Sequence, residues 1–465
     1  MANGPFINNM SVDARRASAA VEAVRQAERW TQSGTPVEQA FVRAVAKRFP
    51  AENIVDRRPS DVAYADAMRE MWRAFPGDDD VGALTAEAIL DLRPWDQWTL
   101  EGRPQPGTEE VTEVLERVLA KNPNHPFGLH LLIHAVEASP FPDRAARAAD
   151  SLRQMTPGID HLLHMPSHID VRRGHWEAAI IANENAIAAD SAFRKQITHN
   201  APYDGQLGHN YHMLSYAASM SGQSEKATRA LGGMFAEIPR DIIALEPERC
   251  DGYFAMPYEL HLRFGRWDAM LSEPPPKPVF AIATALWHYA RGIAFAAKKQ
   301  IGDAKNERLA FLGACSRVPP TSRFRSVLAM TLLKVAGEML LGEILYRDGQ
   351  SESSITSLRQ AVRDEDQLPY TEPPSWIVPV RHSLGATLLD ANHYADAEAV
   401  YREDLLRHPE NGWALYGLAH SLQMQGKVAE SKVAMARFRE AWKDADFQIS
   451  SSCCCLPGHA GQALK

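Results

Sequence analysis

The residues of this sequence best suited to chemistry are histidines, and seven of the 17 fall in three short clusters. Within each cluster the members lie three, four or seven residues apart, which aligns them on one face of a helix. The clusters are His130, His134 and Glu137, then His161, His164 and His168, then His209 and His212. Packing imidazoles together is unfavourable unless a metal, an anion or a carboxylate compensates. The pattern therefore predicts a histidine-lined site that binds a metal ion or performs catalysis.

The predicted metal is a transition metal, because neutral imidazole suits zinc, copper, iron or nickel. His130 and His134 could chelate one ion, with Glu137 as a third ligand or as a base acting on metal-bound water. His164 and His168 form a second pair with the same spacing, so a dinuclear site is also permitted. The alternative interpretation is that these histidines only pack and hydrogen-bond inside helices, as most single histidines do.

Helices must carry these residues, since helical periodicity recurs along the chain and alternating apolar runs are scarce. The clearest unit is 381–409, with a Leu-Gly pair, an alanine, an aromatic residue and a closing proline at Leu384, Gly385, Ala397, Tyr401 and Pro409. This spacing matches the tetratricopeptide pattern of two antiparallel helices that meet at small residues. Further turn glycines are Gly174, Gly222, Gly265, Gly349 and Gly426. Because one helical pair cannot bury its apolar face alone, we expect an all-α fold, a TPR-like α-α solenoid in which helical hairpins form a right-handed superhelix.

Longer phrases resemble a family of bacterial tetratricopeptide-repeat (TPR) proteins of largely uncharacterised function. The matching phrases are DLRPWDQWTLEGRPQPGTEE, HLLIHAVEASPFPDRA, HLLHMPSHI, GHNYHML, EPPSWIVPVRHSLGATLL and HPENGWALYGLAHSL, within about residues 60–440. With each turn at position 15 of its unit, the three clusters take positions 2, 5, 9 and 12 of first helices. In tetratricopeptide repeats these positions line the concave groove, so the resemblance implies that the clusters face one cavity. It implies no particular reaction.

A weaker set of groups takes positions 5 or 9 in later units and would complete a substrate pocket if the array curls enough. These residues are Glu259, His382, Tyr416 and His420.

Composition excludes several functional classes. Fifty basic against 58 acidic residues give a net charge of -8, and the basic residues are spread out, which argues against nucleic-acid binding. No run approaches the roughly 20 apolar residues of a membrane span, and no secretory leader is expected. Three of the five cysteines are consecutive, Cys453 to Cys455, which is not a disulfide framework and suits a reducing, cytoplasmic location.

Proline-rich interruptions at 93–106, 274–278 and 368–374 are expected to be loops between repeats, because helical periodicity resumes on both sides. The expected segments are N-terminal helical repeats at 1–125 with an incomplete first repeat, central histidine-rich repeats at 126–272, C-terminal repeats at 279–446 and a flexible cysteine-containing tail at 447–465.

Two functions compete on this basis. The favoured hypothesis is a metal-dependent enzyme that acts on a small molecule or short peptide in the concave groove, by oxidative or hydrolytic chemistry. The alternative is a non-catalytic scaffold that binds a peptide or protein partner in the same groove. A ligand sensor is a third option, although the sequence contains no evident signalling domain.

Overall fold

Pairs of helices in the second part of the chain are joined by short turns, in each of which one residue has a left-handed backbone conformation. The computed structural model describes residues 12–51, 56–155, 158–196, 204–238, 251–324 and 326–454. The chain divides into two compact units, Met1–Pro157 and Gly158–Lys465, so the division falls inside the segment 126–272 that the sequence suggests as one block. Among the described residues each unit is all-α apart from one antiparallel pair of two-residue strands in the second, Arg323–Phe324 with Val327–Leu328.

Seven helices form the described part of the first unit. They are α1 (Ala14–Trp30), α2 (Pro36–Arg48), α3 (Arg58–Ala74), α4 (Asp79–Leu90), α5 (Thr108–Lys121), α6 (Pro126–Val136) and α7 (Ala146–Met155). Successive helices pack on one another in chain order, and α6 carries the first histidine cluster. This helix begins at Pro126, where the missing backbone N–H costs no hydrogen bond, and His125 caps it by accepting from the backbone N–H of Gly128 at 3.0 Å.

Helical hairpins build the second unit. The helices in its described residues are α8 (Asp160–His164), α9 (Pro166–Arg173), α10 (Trp176–Arg194), α11 (Asp204–Met220), α12 (Ser224–Glu237), α13 (Met256–Arg263), α14 (Trp267–Ser272), α15 (Ala281–Ala297), α16 (Ile301–Cys315), α17 (Ala329–Arg347), α18 (Ser351–Glu365), α19 (Val380–Asp390), α20 (Tyr394–Arg407), α21 (Gly412–Met424) and α22 (Val428–Ala441). No described helix is both long and apolar enough to cross a membrane.

The same turn joins seven pairs of these helices. In each turn one residue has a positive φ of 62–79°. The residue that follows it donates its backbone N–H to the carbonyl of the residue five positions earlier in the sequence than the donor, at 2.8–3.0 Å. The left-handed residues are Gly174, Gly222, Gly265, Lys299, Gly349, Asn392 and Gly426. This is the Schellman arrangement, which satisfies the last carbonyls of one helix and reverses the chain within two or three residues. The five turn glycines indicated by the sequence are therefore confirmed.

The hairpins close tightly where the sequence supplies small residues. Gly385 on α19 and Gly417 on α21 both face the ring of Tyr401, and a Cβ atom at either position would come within 3.0 Å of that ring. Tyr401 is fully buried between the two helices. The glycine of the Leu-Gly pair in the repeat therefore leaves space for an aromatic ring from the second helix to pack against the first.

The second unit curls until its first hairpins contact its last. The indole Nε1 of Trp176 donates to the carbonyl of Pro409 at 3.1 Å, and that of Trp413 donates to the carbonyl of Ser219 at 3.0 Å. Asp446 bonds the N-terminus of α12. Side chains distant in sequence are thereby brought to one interior.

Replacing Gly385 with alanine tests the close approach. We expect the substitution to lower the free energy of unfolding by about 1–3 kcal/mol, because the new methyl group overlaps a buried ring that cannot move aside. The matched control is Gly313→Ala on the exposed face of α16, where the nearest atom would be the tip of Arg317 at 4.0 Å. Urea unfolding should show the control unchanged or stabilised, and equal effects of the two variants would contradict the packing account.

Candidate functional site

Three histidines of the second unit lie together at the junction of its first helices. The rings of His164 and His168 are 4.7 Å apart between centroids, and the ring of His209 lies 4.5 Å from the first and 5.7 Å from the second. One ring nitrogen from each residue lies within 4.8 Å of the other two. His164 and His168 are buried, and His209 is half-buried, so one side of the group remains open to solvent.

A kinked helix positions the first two histidines. Pro166 lacks the backbone N–H that would continue the helix, so α8 ends at His164 and α9 begins at the proline. The backbone keeps right-handed helical angles at Met165, and His164 and His168 therefore remain one turn apart on the same side. His209 comes from α11, the first helix of the next hairpin, as the repeat register predicts.

Asn183 fixes the proton position of His164. The amide nitrogen of Asn183 donates to the carbonyl of Ala179 at 2.8 Å, which leaves the amide oxygen facing Nδ1 of His164 at 2.6 Å. An amide oxygen only accepts hydrogen bonds, so Nδ1 carries the proton and Nε2 of a neutral His164 has a lone pair. An imidazole needs such a lone pair, on the nitrogen opposite its hydrogen bond, to bind a metal ion.

The lone pair of His164 is directed at His168. The two Nε2 atoms are 2.7 Å apart, a separation that requires one donor and one acceptor. Two nitrogens bound to one tetrahedral zinc ion would lie about 3.3 Å apart, given zinc–nitrogen distances of about 2.0–2.1 Å. The rings therefore need to separate by about 0.6 Å for an ion to replace the proton between them.

The other two predicted ligands of the second unit are His161 and His212. His161 stacks on His164 with ring centroids 6.2 Å apart. The ring of His212 lies near Tyr253 and Phe324, at 6.2 Å and 6.4 Å. The structure thus assembles three imidazoles from the two clusters and directs His212 toward an aromatic region.

The first cluster forms a buried pair within its own unit. Nδ1 of His134 donates to Oε1 of Glu137 at 3.0 Å, and both side chains are buried. The ring of His130 stands at right angles to His134 at 4.7 Å, and the ring of Trp95 packs against His134 at 5.0 Å. The carboxylate of Glu137 fixes the tautomer of His134. Carboxylates beside metal-binding or catalytic histidines do the same. Convergence of this pair with the other histidines stays a prediction.

Three of the weaker pocket residues, Glu259, Tyr416 and His420, lie on two different helices. Burial raises the pKa of Glu259 on α13 to about 8. Tyr416 and His420 lie one turn apart on α21, with ring centroids at 6.0 Å. Their membership of one substrate pocket stays a prediction.

His382 is held inside a buried polar chain. Its Nδ1 accepts from Nη1 of Arg263 at 2.9 Å, and its Nε2 donates to Asp404 at 2.9 Å. Asn411 and His408 also donate to this carboxylate. With both ring nitrogens engaged, His382 has no lone pair for a substrate or a metal. Burial lowers the pKa of His382 to about 4, against the opposing effect of Asp404.

The sequence interpretation missed Asn183, Arg263 and Asp404. Asn183 carried a detectable signal, since it interrupts the apolar face of α10 between Ile180 and Ala186 at helical spacing. A buried polar residue on such a face needs a partner, and here the partner is the imidazole of His164. Arg263 and Asp404 carry no comparable signal.

The comparisons with known proteins are weak. No family model matches the sequence, and no curated protein matches it. Among solved structures, Naa15/Naa10 bound to HypK-THB is similar with a TM-score of 0.32 and 11% identity, over 88% of this chain and 64% of that chain. The human IFIT1 dimer with m7Gppp-AAAA has a TM-score of 0.31 and 10% identity, over 92% of this chain and 86% of that chain. The APC/C hetero-tetramer Cut9-Hcn1 has a TM-score of 0.24 and 10% identity, over 93% of each chain. The chain therefore spans less than two thirds of the first of these chains. Scores this low carry no functional argument, and the fold assignment rests on the hairpins themselves.

The protonation of His382 gives a pH-dependent prediction. Its pKa in the folded protein lies below the ordinary value of 6.5, so the stability it contributes is full above pH 6.5 and is lost as the pH falls through about 4. Histidine-selective labelling and NMR should show its ring signal, identified by its absence in His382→Gln, unchanged from pH 8 to pH 5. A titration midpoint above pH 6 would show that the chain of hydrogen bonds is wrongly assigned.

Proposed function

We propose that this protein binds one transition metal ion through His164, His168 and His209 and uses it to act on a small molecule or short peptide. The observation that supports the proposal is the group of three imidazoles whose ring nitrogens lie within 4.8 Å of one another. Zinc is the first candidate because three histidines are a common ligand set for zinc in catalytic sites. Copper and iron also bind imidazole, so the ligand types alone do not select the metal.

The arrangement favours a reactive site over a closed structural one. Structural zinc sites have four protein ligands, whereas three leave a coordination position for water or substrate. A bound ion would supply Lewis acidity and a more acidic water molecule. The half-buried His209 marks the side from which a ligand can approach, and the buried Asn183 holds His164 in the ligating tautomer.

Zinc binding by single-histidine variants tests the proposal. Metal-free protein titrated with zinc against a coloured chelator should bind one equivalent at this site, and His168→Ala should lower the affinity at least 100-fold through loss of one ligand. The matched control is His393→Ala, since His393 lies in the exposed turn between α19 and α20. Equal affinity of wild type and His168→Ala would overturn the site.

Cobalt substitution tests the open coordination position. Azide added to the cobalt-loaded protein should change its visible spectrum if a water molecule can be exchanged. An unchanged spectrum at saturating azide would indicate four protein ligands and contradict the reactive site.

A third prediction concerns Asn183, which contacts His164 and is not itself a proposed metal ligand. Asn183→Leu should lower zinc affinity about 10–100-fold, because the tautomer of His164 is no longer fixed. Asn183→Asp should restore most of the affinity, since its carboxylate also accepts from Nδ1. The control is Asn185→Leu, on the exposed face of the same helix. An Asn183→Leu variant that matches this control in affinity would show that Asn183 only packs.

A further inference from the structure

The chain after the last helix packs along the second unit without helix or strand, and its residues become buried at Ser452 and Cys453. Its first anchor is Asp446, whose carboxylate accepts from the backbone N–H groups of Ser224 at 2.6 Å and Glu225 at 2.9 Å. The helix itself provides no acceptor for these two N–H groups, because they lie at the N-terminus of α12, where a negative charge is favoured. The segment therefore begins at the second hairpin of the unit, although it follows the last hairpin in sequence.

An aromatic residue is the second anchor. The ring of Phe447 lies 5.2 Å from that of Phe264 and 6.1 Å from that of Trp413, between centroids. Its carbonyl accepts from the indole Nε1 of Trp442 at 2.7 Å. Aromatic rings at these distances bury a large apolar area in a defined orientation.

A serine and a cysteine form the third anchor. The hydroxyl of Ser452 donates to the carbonyl of His382 at 2.8 Å and accepts from the hydroxyl of Tyr401 at 2.6 Å. The hydroxyl of Ser383 donates to Sγ of Cys453 at 3.3 Å. If the segment left, the buried hydroxyls of Ser383 on α19 and Tyr401 on α20 would lose these partners, which costs about 1–3 kcal/mol per group. This surface therefore requires an occupant.

The last residues of the segment do not completely fill the space between them and the helices. A cavity of about 20 Å³ remains beside Cys453 and Cys454, and the side chain of Arg263 lines it. Arg263 is 3% exposed, bonds His382 and the sulfur of Met220, and lies 3.9 Å above the ring of Trp413. Among the described residues its Nε has no hydrogen-bond partner.

A buried guanidinium with only neutral partners favours an acidic side chain nearby. The nearest compensating carboxylate in the hydrogen-bonded chain, Asp404, is separated from Arg263 by the imidazole of His382. Cys454 lines the same cavity as Arg263, and burial raises the pKa of its thiol to about 12. The thiol is therefore neutral where a carboxylate would be better.

We propose that residues 447–454 are an intramolecular occupant of a peptide-binding groove, which prefers an extended peptide with an aromatic residue, a serine five positions later and an acidic residue two positions after that. The groove is formed by Phe264, Trp413, Tyr401, His382, Ser383 and Arg263. The chain's own segment supplies the first two features and a thiol at the third position. The proposal is independent of metal binding, since none of these groups belongs to the three-histidine cluster.

Peptide exchange after cleavage tests the groove in a protein that has already folded. A protease site inserted between the exposed Asp444 and the half-buried Ala445 lets the segment be cut from the folded full chain. A fluorescent peptide of residues 445–456 should then replace the cut segment, as measured by anisotropy under reducing conditions. The same peptide with Cys454→Asp should bind about tenfold more tightly, by about 1.4 kcal/mol, because a carboxylate at this position can form a charge-assisted hydrogen bond with Arg263. With Ser452→Val it should bind about tenfold more weakly.

The control peptide carries Gln448→Asp, which adds the same charge at an exposed position of the segment. Binding of the Cys454→Asp peptide no tighter than this control would overturn the role of Arg263. Failure of any peptide to exchange into the cut protein, with its circular dichroism unchanged, would overturn the groove. Exchange of segments only between whole chains, with no free peptide bound, would also overturn it, since the partner would then be a second copy.

Discussion

The second unit depends on one backbone constraint, the left-handed residue that ends the first helix of each hairpin. A positive φ at this position lets the next N–H reach back to a carbonyl of the ending helix, and seven turns in the described chain share this hydrogen bond at 2.8–3.0 Å. The turn length fixes where the second helix starts, so equivalent positions of successive first helices become neighbours. His164 and His209 meet for this reason, although 44 intervening residues separate them.

Two further interactions convert this scaffold into a site. The hydrogen bonds from Asn183 to Ala179 and from His164 to Asn183 select one tautomer of one imidazole. The contacts of Trp176 and Trp413 close the curl of the unit and create an interior in which Arg263, His382 and Asp404 are buried together. Polar groups in such an interior need internal partners, because water cannot reach them. The segment 447–454 supplies several of these partners.

The sequence allowed prediction of the all-α fold and of the hairpin turns that contain glycine. The turn at Lys299 escaped because a lysine with positive φ has no sequence signature, whereas glycine has one. The helical spacing of His164 and His168 correctly placed them side by side, even with Pro166 between them. Periodicity does not fix the rotation of one helix against the next, which is why the different orientation of His212 could not be foreseen. Contacts such as Arg263 with His382, between residues 119 positions apart, depend on the curl of the whole unit.

Zinc-edge anomalous diffraction from crystals of the zinc-loaded protein tests the central claim most directly. The account predicts one strong peak among His164, His168 and His209, with nitrogen ligands at about 2.0–2.1 Å and a non-protein ligand in the fourth position. The Nε2 atoms of His164 and His168 should have moved from 2.7 Å to about 3.3 Å apart. Loaded crystals without a peak at this position, and with the hydrogen bond between the two imidazoles intact, would contradict the account.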